Sequence, residues 1–192
     1  MFQYLVLNKN QQNTLVEQVS IALEGECKWI HIPSGLSDRE LDEIETLCRD
    51  KGAFLTVDDN VNLTNKRRFH GVLLNKGHEN SPAEVRASLG AHAVVGAEVD
   101  KAEILPSLMK EDIDYAVYDV DRHGIEKARM FASESGMRHI PIVARGVDLT
   151  QDEIIGLMES GFNGVLTTGG ALDSTLSTES VKSLTDELHS RF

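Results

Sequence analysis

The chain has 192 residues and a formal net charge of -12, from 31 acidic against 19 basic side chains. That length suits one domain with a sizeable core, and so acidic a surface repels nucleic acid and anionic lipid, which excludes both as main partners. The N-terminus lacks the charged start and long apolar core of a signal peptide, and no run approaches the roughly 18 apolar residues of a membrane span, so no membrane partner is expected. Cys27 and Cys48 are the only cysteines. Their spacing fits no zinc or redox motif, so they read as two reduced thiols, in keeping with a cytoplasmic location.

In chain order, Tyr4 to Leu7 reads as a first strand. Leu15, Val19, Ala22 and Leu23 then recur at helical spacing. Lys28 to Ile32 is a second strand, closed by Pro33-Ser34-Gly35. Ser37-Asp-Arg-Glu40 is a capping box, followed by Leu41, Ile44, Leu47 and Cys48 on one helical face. Ala53 to Val57 is strand three, ended by Asp58-Asp59-Asn60. The polar stretch Val61 to Phe69 holds one or two helical turns, with Lys66-Arg67-Arg68 capping a helix end. Gly71 to Leu74 is strand four, and Ser81-Pro-Ala-Glu84 opens the next helix with proline at its first position. Ala93 to Ala97 is strand five, a helix carries Ile104, Leu105, Leu108 and Met109, and Tyr115 to Val120 is strand six. Ile125 to Ser133 is helical. Ile140 to Ala144 is strand seven, the capping box Thr150-Gln-Asp-Glu153 starts a helix, and Val165 to Thr168 is strand eight. Val181, Leu184 and Leu188 mark a closing helix.

Strand starts thus recur eight times, spaced by roughly 18 to 25 residues with helical patterns between, which implies a parallel sheet. Eight such units imply an α/β fold of the closed (β/α)8 kind, a TIM barrel. With no linker in sight, residues 1–192 read as a single compact barrel domain. Phe69-His-Gly-Val-Leu73 and Phe162-Asn-Gly-Val-Leu166 repeat one pattern at strands four and eight, as a barrel of two halves would. The alternative is an open doubly wound sheet, but no Gly-x-Gly-x-x-Gly follows the first strand.

The active face of such a barrel lies at the carboxyl ends of its strands. There the sequence places His31, Ser34, Asp58, Asp59, Lys76, His78, Glu79, Glu98, Asp119, Asp121, Arg122, His123, Arg145, Thr167 and Thr168. Carboxylates converging on one mouth repel unless protonated or neutralised, and magnesium held by oxygen ligands is an economical answer. If Asp58 and Asp59 both lie in the strand, only one faces the axis. Glycine after strand seven (Gly146) and strand eight (Gly169, Gly170) either turns the chain or lets backbone N–H groups approach an anion. His70, His92, His139 and His189 fall away from the active face and read as structural or solvated.

The order of motifs resembles the thiamine phosphate synthase family and its thiazole tautomerase relatives. Phe54-Leu-Thr-Val-Asp58-Asp59-Asn-Val-Asn-Leu63 is similar to that family's third strand and its continuation. His70-Gly-Val-Leu-Leu74, Ser81-Pro-Ala-Glu-Val-Arg-Ala-Ser-Leu-Gly90, Asp114-Tyr115 and Ile140-Pro-Ile-Val-Ala144 follow in the family's order. The resemblance implies coupling of a hydroxymethylpyrimidine diphosphate to a thiazole phosphate, with magnesium and release of pyrophosphate, in thiamine biosynthesis. It implies a metal-binding role for Asp59 and, at the second metal position, His78. It places Gly146, Thr168, Gly169 and Gly170 around a substrate phosphate. Asp58 stands where the family has asparagine, and His31 opens the stretch His31-Ile-Pro33-Ser-Gly35 that replaces its Gln-x-Arg-x-Lys. These two are the candidate catalytic residues. Glu98 replaces a small hydroxyl residue, Arg145 the first glycine of a pair, and Tyr118-Asp-Val-Asp-Arg-His123 a Gly-Pro-x-Phe loop. The expected partner is a small phosphorylated metabolite, and assembly into a homo-oligomer is compatible with this reading. The alternative function is a non-catalytic barrel that has lost the diphosphate-binding residues and only binds a small phosphorylated ligand or serves as a scaffold.

Overall fold

In a computed structural model the apolar runs form eight parallel strands closed into a barrel in sequence order, β1 to β8. The structure describes residues 2–5, 13–135, 140–147, 149–168 and 177–191. The strands are β1 (Phe2–Leu5), β2 (Trp29–Ile32), β3 (Phe54–Asp58), β4 (Gly71–Leu74), β5 (Val94–Val99), β6 (Tyr115–Asp119), β7 (Ile142–Arg145) and β8 (Gly164–Thr167). Helices on the outside are α1 (Leu15–Glu24), α2 (Asp38–Lys51), α3 (Val61–Arg67), α4 (Pro82–Leu89), α5 (Leu105–Lys110), α6 (Val120–His123), α7 (Ile125–Ser135), α8 (Gln151–Glu159) and α9 (Thr178–Arg191). β1 closes the barrel by pairing with β2 on one side and β8 on the other.

The capping boxes at Ser37, Ser81 and Thr150 form as the sequence requires, and Thr14 adds a fourth ahead of α1. Each satisfies N–H groups that a first helical turn leaves without partners. Strand ends differ from expectation by a residue or two. β5 runs on to Val99 because Glu98 and Val99 find partners in Val117 and Tyr118. β7 starts at Ile142, after Pro141, which has no N–H to give a ladder, although its carbonyl accepts from Ala116. β8 ends at Thr167, leaving Thr168 just beyond the ladder. Arg67, in the last turn of α3, binds Asp38, Asp42 and Glu45 of α2, so the basic run clamps two neighbouring helices.

Alternation along each strand divides the core. Ile30, Ile32, Leu55, Val57, Val72, Leu74 and Val95 pack outward among α1, α2 and α4. Ala116, Tyr118, Ile142, Ala144 and Val165 do the same for the second half of the helices. Leu73, Tyr115, Val117, Val143 and Leu166 fill the barrel interior, with Trp29 packed against them. Gly96 makes that filling possible, since a Cβ there would sit 2.4 Å from the Tyr115 ring.

The repeated Phe-x-Gly-Val-Leu pattern has a structural counterpart. His70 Nδ1 accepts the Leu55 N–H at 3.0 Å, and His70 N–H donates back to Leu55 O. Asn163 Oδ1 accepts the Ile142 N–H at 2.9 Å, and Asn163 N–H donates to Ile142 O. Asp114 holds Val95 in the same way. At β4, β6 and β8 the residue immediately ahead of the strand therefore ties off the preceding strand. His70 is structural, as expected, and its Nδ1 lone pair is engaged.

Candidate active site

The mouth of the barrel is assembled from the last inward-facing residue of several strands. On β2 the inward positions are Trp29 and His31, and on β3 they are Thr56 and Asp58. Thr56, fully buried, links them: its Oγ1 accepts from Trp29 Nε1 at 3.0 Å and lies 3.0 Å from His31 Nδ1. The hydroxyl also lies 3.4 Å from Ile30 O. It has one proton, and the shorter contact assigns that proton to His31 Nδ1. The imidazole proton then sits on Nε2, which faces Asp58 Oδ1 at 3.7 Å. Burial lowers the His31 pKa, more than the neighbouring Asp58 carboxylate raises it, so the ring is neutral in the fold.

Burial alone would raise the Asp58 pKa, but His31, Arg145 and Asn75 outweigh it and hold the carboxyl below its usual range. Arg145 ends β7, on the far side of the barrel, and extends across the mouth to place Nη1 3.8 Å from Asp58 Oδ1. Tyr115 lies below, fully buried, and its hydroxyl has no hydrogen-bond partner. His31 Nε2 and Asp58 Oδ1 are likewise buried and unpartnered. Of the two catalytic candidates, Asp58 is reachable from the mouth and His31 is not, being 0% exposed.

Asp59 and His78, the expected metal ligands, do meet. Asp59 has left the strand in the left-handed region (φ 47°), so the alternation rule no longer separates it from Asp58. Its Oδ1 accepts the Asn75 N–H and the His78 Nδ1–H, each at 2.9 Å. These two donors engage one of its two carboxylate oxygens. Among the described residues no three His, Cys, Asp or Glu side chains converge as a metal set. Magnesium is commonly held by one or two carboxylates together with substrate phosphate oxygens. The second oxygen of Asp59, outside both hydrogen bonds, would be the one to hold it. The remaining rim is paired: Arg122 with Glu98 at 3.0 Å, and Lys76 with Asp100. Asn75, Lys76, His78, Pro82, Glu98 and Leu108 border a cleft of about 250 Å³ there.

The expected phosphate loop is only partly in view. Gly146 and Thr168 lie side by side at the ends of β7 and β8, but Gly169 and Gly170 lie outside the described residues. The Gly146 N–H is not free for an anion, because it donates to Leu166 O at 3.0 Å. The next N–H, of Val147, donates to Asp121 Oδ2 at 2.8 Å. Thr168 Oγ1 donates to Val147 O at 2.6 Å. Glycine is needed at 146 for a packing reason: a Cβ would come within 2.7 Å of the Leu149 side chain. Reading the sequence left Thr56, Tyr115 and Asn75 without a role. The signal for Thr56 was present, since it shares the inward face of β3 with Asp58.

Polar side chains gathered at the carboxyl ends of the strands put this chain in the class of (β/α)8 barrels, whose active sites lie at that face. Residues 3–170 match the model of the TMP-TENI family, described as thiamine monophosphate synthase, and the chain belongs to that family. It is 30% identical over 175 residues to the thiamine-phosphate synthase of Phocaeicola vulgatus, covering 81% of this chain and 83% of the relative. It is 29% identical over 188 residues to that of Pyrococcus furiosus, covering 90% and 86%. The solved thiamine phosphate pyrophosphorylase from Pyrococcus furiosus superposes with a TM-score of 0.75 at 22% identity, over 97% of this chain and 95% of that one. An orotidine 5'-phosphate decarboxylase from Pyrococcus horikoshii shares the fold at TM-score 0.69 and 12% identity, covering 98% and 99%.

Proposed function

We propose that this protein couples a phosphorylated hydroxymethylpyrimidine to a thiazole phosphate, as a thiamine-phosphate synthase. The observation that carries the reading is the length of the match to synthases, with Asp58 and Asp59 both delivered to the mouth from the end of β3. In the reaction the bond between the pyrimidine methylene and the diphosphate breaks, and its electron pair leaves with pyrophosphate. The thiazole nitrogen lone pair then forms the new carbon–nitrogen bond. Positive charge develops on the methylene carbon, and an ionised carboxylate beneath it lowers that barrier. Asp58 is such a group, kept ionised by His31, Arg145 and Asn75. Incubating the purified protein with both phosphorylated substrates, with and without magnesium, should give thiamine phosphate. No product above the buffer blank would defeat the proposal.

One observation favours a second reading, a barrel that binds a small phosphorylated ligand without coupling or serves as a scaffold. Lys76, Arg122 and His78 at the rim each already face a carboxylate. Calorimetric titration with thiazole phosphate, pyrimidine phosphate and thiamine phosphate separates the two: binding with no turnover supports this reading, and turnover ends it.

A further inference from the structure

The amino ends of β3 and β4 carry a second hollow, at the end of the barrel opposite the mouth. It measures about 420 Å³, within the range of small-molecule sites. Arg49 in the last turn of α2, Phe54 at the start of β3, Arg68 just after α3 and His70 ahead of β4 line it. The carboxylate in that lining, Glu45, faces Arg67 at 3.3 Å. Arg49 gives one nitrogen to Thr46 Oγ1, at 3.2 Å.

Three features of this hollow are not explained by the fold. Arg68 holds a left-handed conformation (φ 56°) where a helix closes, a position at which glycine is the usual residue. A side chain kept at such a strained position points to a use for that side chain. The Arg68 guanidinium nevertheless makes no hydrogen bond or ion pair among the described residues, unlike that of Arg67 beside it. The Phe54 ring is 46% exposed. A single exposed phenylalanine means little, but this one lies 4.8 Å from the His70 ring, in the wall of a hollow that two arginines share. His70 is itself a fixed donor. Its Nδ1 accepts the Leu55 N–H, so the neutral ring carries its proton on Nε2, which has no partner among the described residues.

We propose that this hollow binds a small anionic ligand with a planar ring, of the nucleoside monophosphate class. The phosphoryl group lies against Arg68 and Arg49, since a guanidinium fork matches two phosphoryl oxygens at once. His70 Nε2–H adds a further donor. The ring stacks on the exposed Phe54, an interaction open to any base. In a chain of net charge -12 a long polyanion is repelled, whereas one phosphate needs only this local cluster of cations. The site is separate from the mouth and rests on none of the coupling chemistry proposed above.

The test is calorimetric titration of adenosine monophosphate into the whole protein, with adenosine and inorganic phosphate as partial probes. Wild type should bind the nucleotide at least tenfold more tightly than either. Arg68→Gly removes the guanidinium and relieves the positive φ, so it should weaken the nucleotide at least tenfold while melting no lower than wild type. Phe54→Leu keeps apolar bulk and loses the stacking face, and should weaken the nucleotide several-fold. An excess of thiazole phosphate should leave nucleotide binding unchanged. No nucleotide binding at millimolar concentration overturns the inference, as does equal affinity in the glycine variant, or inorganic phosphate binding as tightly as the nucleotide. Displacement by thiazole phosphate would put the nucleotide at the mouth and overturn it too. A glycine variant that melts lower than wild type would make Arg68 a structural residue, with the same consequence. Failure of coupling leaves this inference untouched.

Discussion

Replacing Thr56 by valine keeps the side-chain shape and removes one hydroxyl. That hydroxyl accepts from Trp29 Nε1 and serves His31 Nδ1, both at 3.0 Å, in a position with no solvent access. Water cannot replace it at His31, so each group left unpaired costs about 1–3 kcal/mol. The buried methyl that takes its place returns up to about 0.8 kcal/mol. The net loss is expected at roughly 1–5 kcal/mol, and in a chain of this size each kcal/mol lowers Tm by about 2–4 °C. Urea unfolding followed by far-UV circular dichroism measures it, because the fluorescence of Trp29, the single tryptophan, is itself altered by the change. Thr56→Ser serves as control, keeping the hydroxyl and losing only a methyl, at about 1 kcal/mol. A loss below about 0.5 kcal/mol in the valine variant, or an equal loss in both, would refute the assigned hydrogen-bond chain.

Gly96→Ala should destabilise by about 1–3 kcal/mol, since the new Cβ meets a Tyr115 ring that is buried and braced edge-on by Trp29; an unchanged melting temperature would show that the ring yields. The His31 pKa is lowered in the fold by burial, so its contribution to stability is present above the unfolded value near 6.5 and is lost as pH falls below it. Asp58, also lowered, adds loss only at more acid pH, below the usual carboxylate range near 3.9. Wild-type Tm should therefore drop between about pH 7 and 5, with His31 contributing a slope of up to about 1.4 kcal/mol per pH unit, and His31→Gln should flatten the curve there. Parallel curves for the two proteins would exclude His31 as the source. Thr150→Ala removes the capping box of α8 and should cost about 1 kcal/mol by thermal melting, whereas Thr150→Gly should cost only a few tenths.

Local chemistry was enough to order the elements. A capping box such as Ser37 with Glu40 acts within one turn, so its four residues announce a helix start wherever the chain lies. The eight apolar runs similarly declare a parallel sheet, because strands buried on both faces need no polar alternation. The motif order also placed the chain in its family. The ends of strands were less legible: β5 continues to Val99 only because β6 offers partners there, and a partner lies outside any local window. The mouth was less legible still. Asp58 and His31 could be placed at it from the ends of β3 and β2, and Asp59 with His78 could be paired by position. That Asp59 leaves the strand at a positive φ, that Thr56 joins Trp29 to His31, and that Gly146 is glycine to admit Leu149 required the packed structure. Arg145 shows why most plainly. On β7 its sequence neighbours are valine, alanine and glycine, none of which gives a guanidinium anything to do. Closing the barrel sets β7 across the mouth from β3, and only then does Arg145 come within 3.8 Å of Asp58.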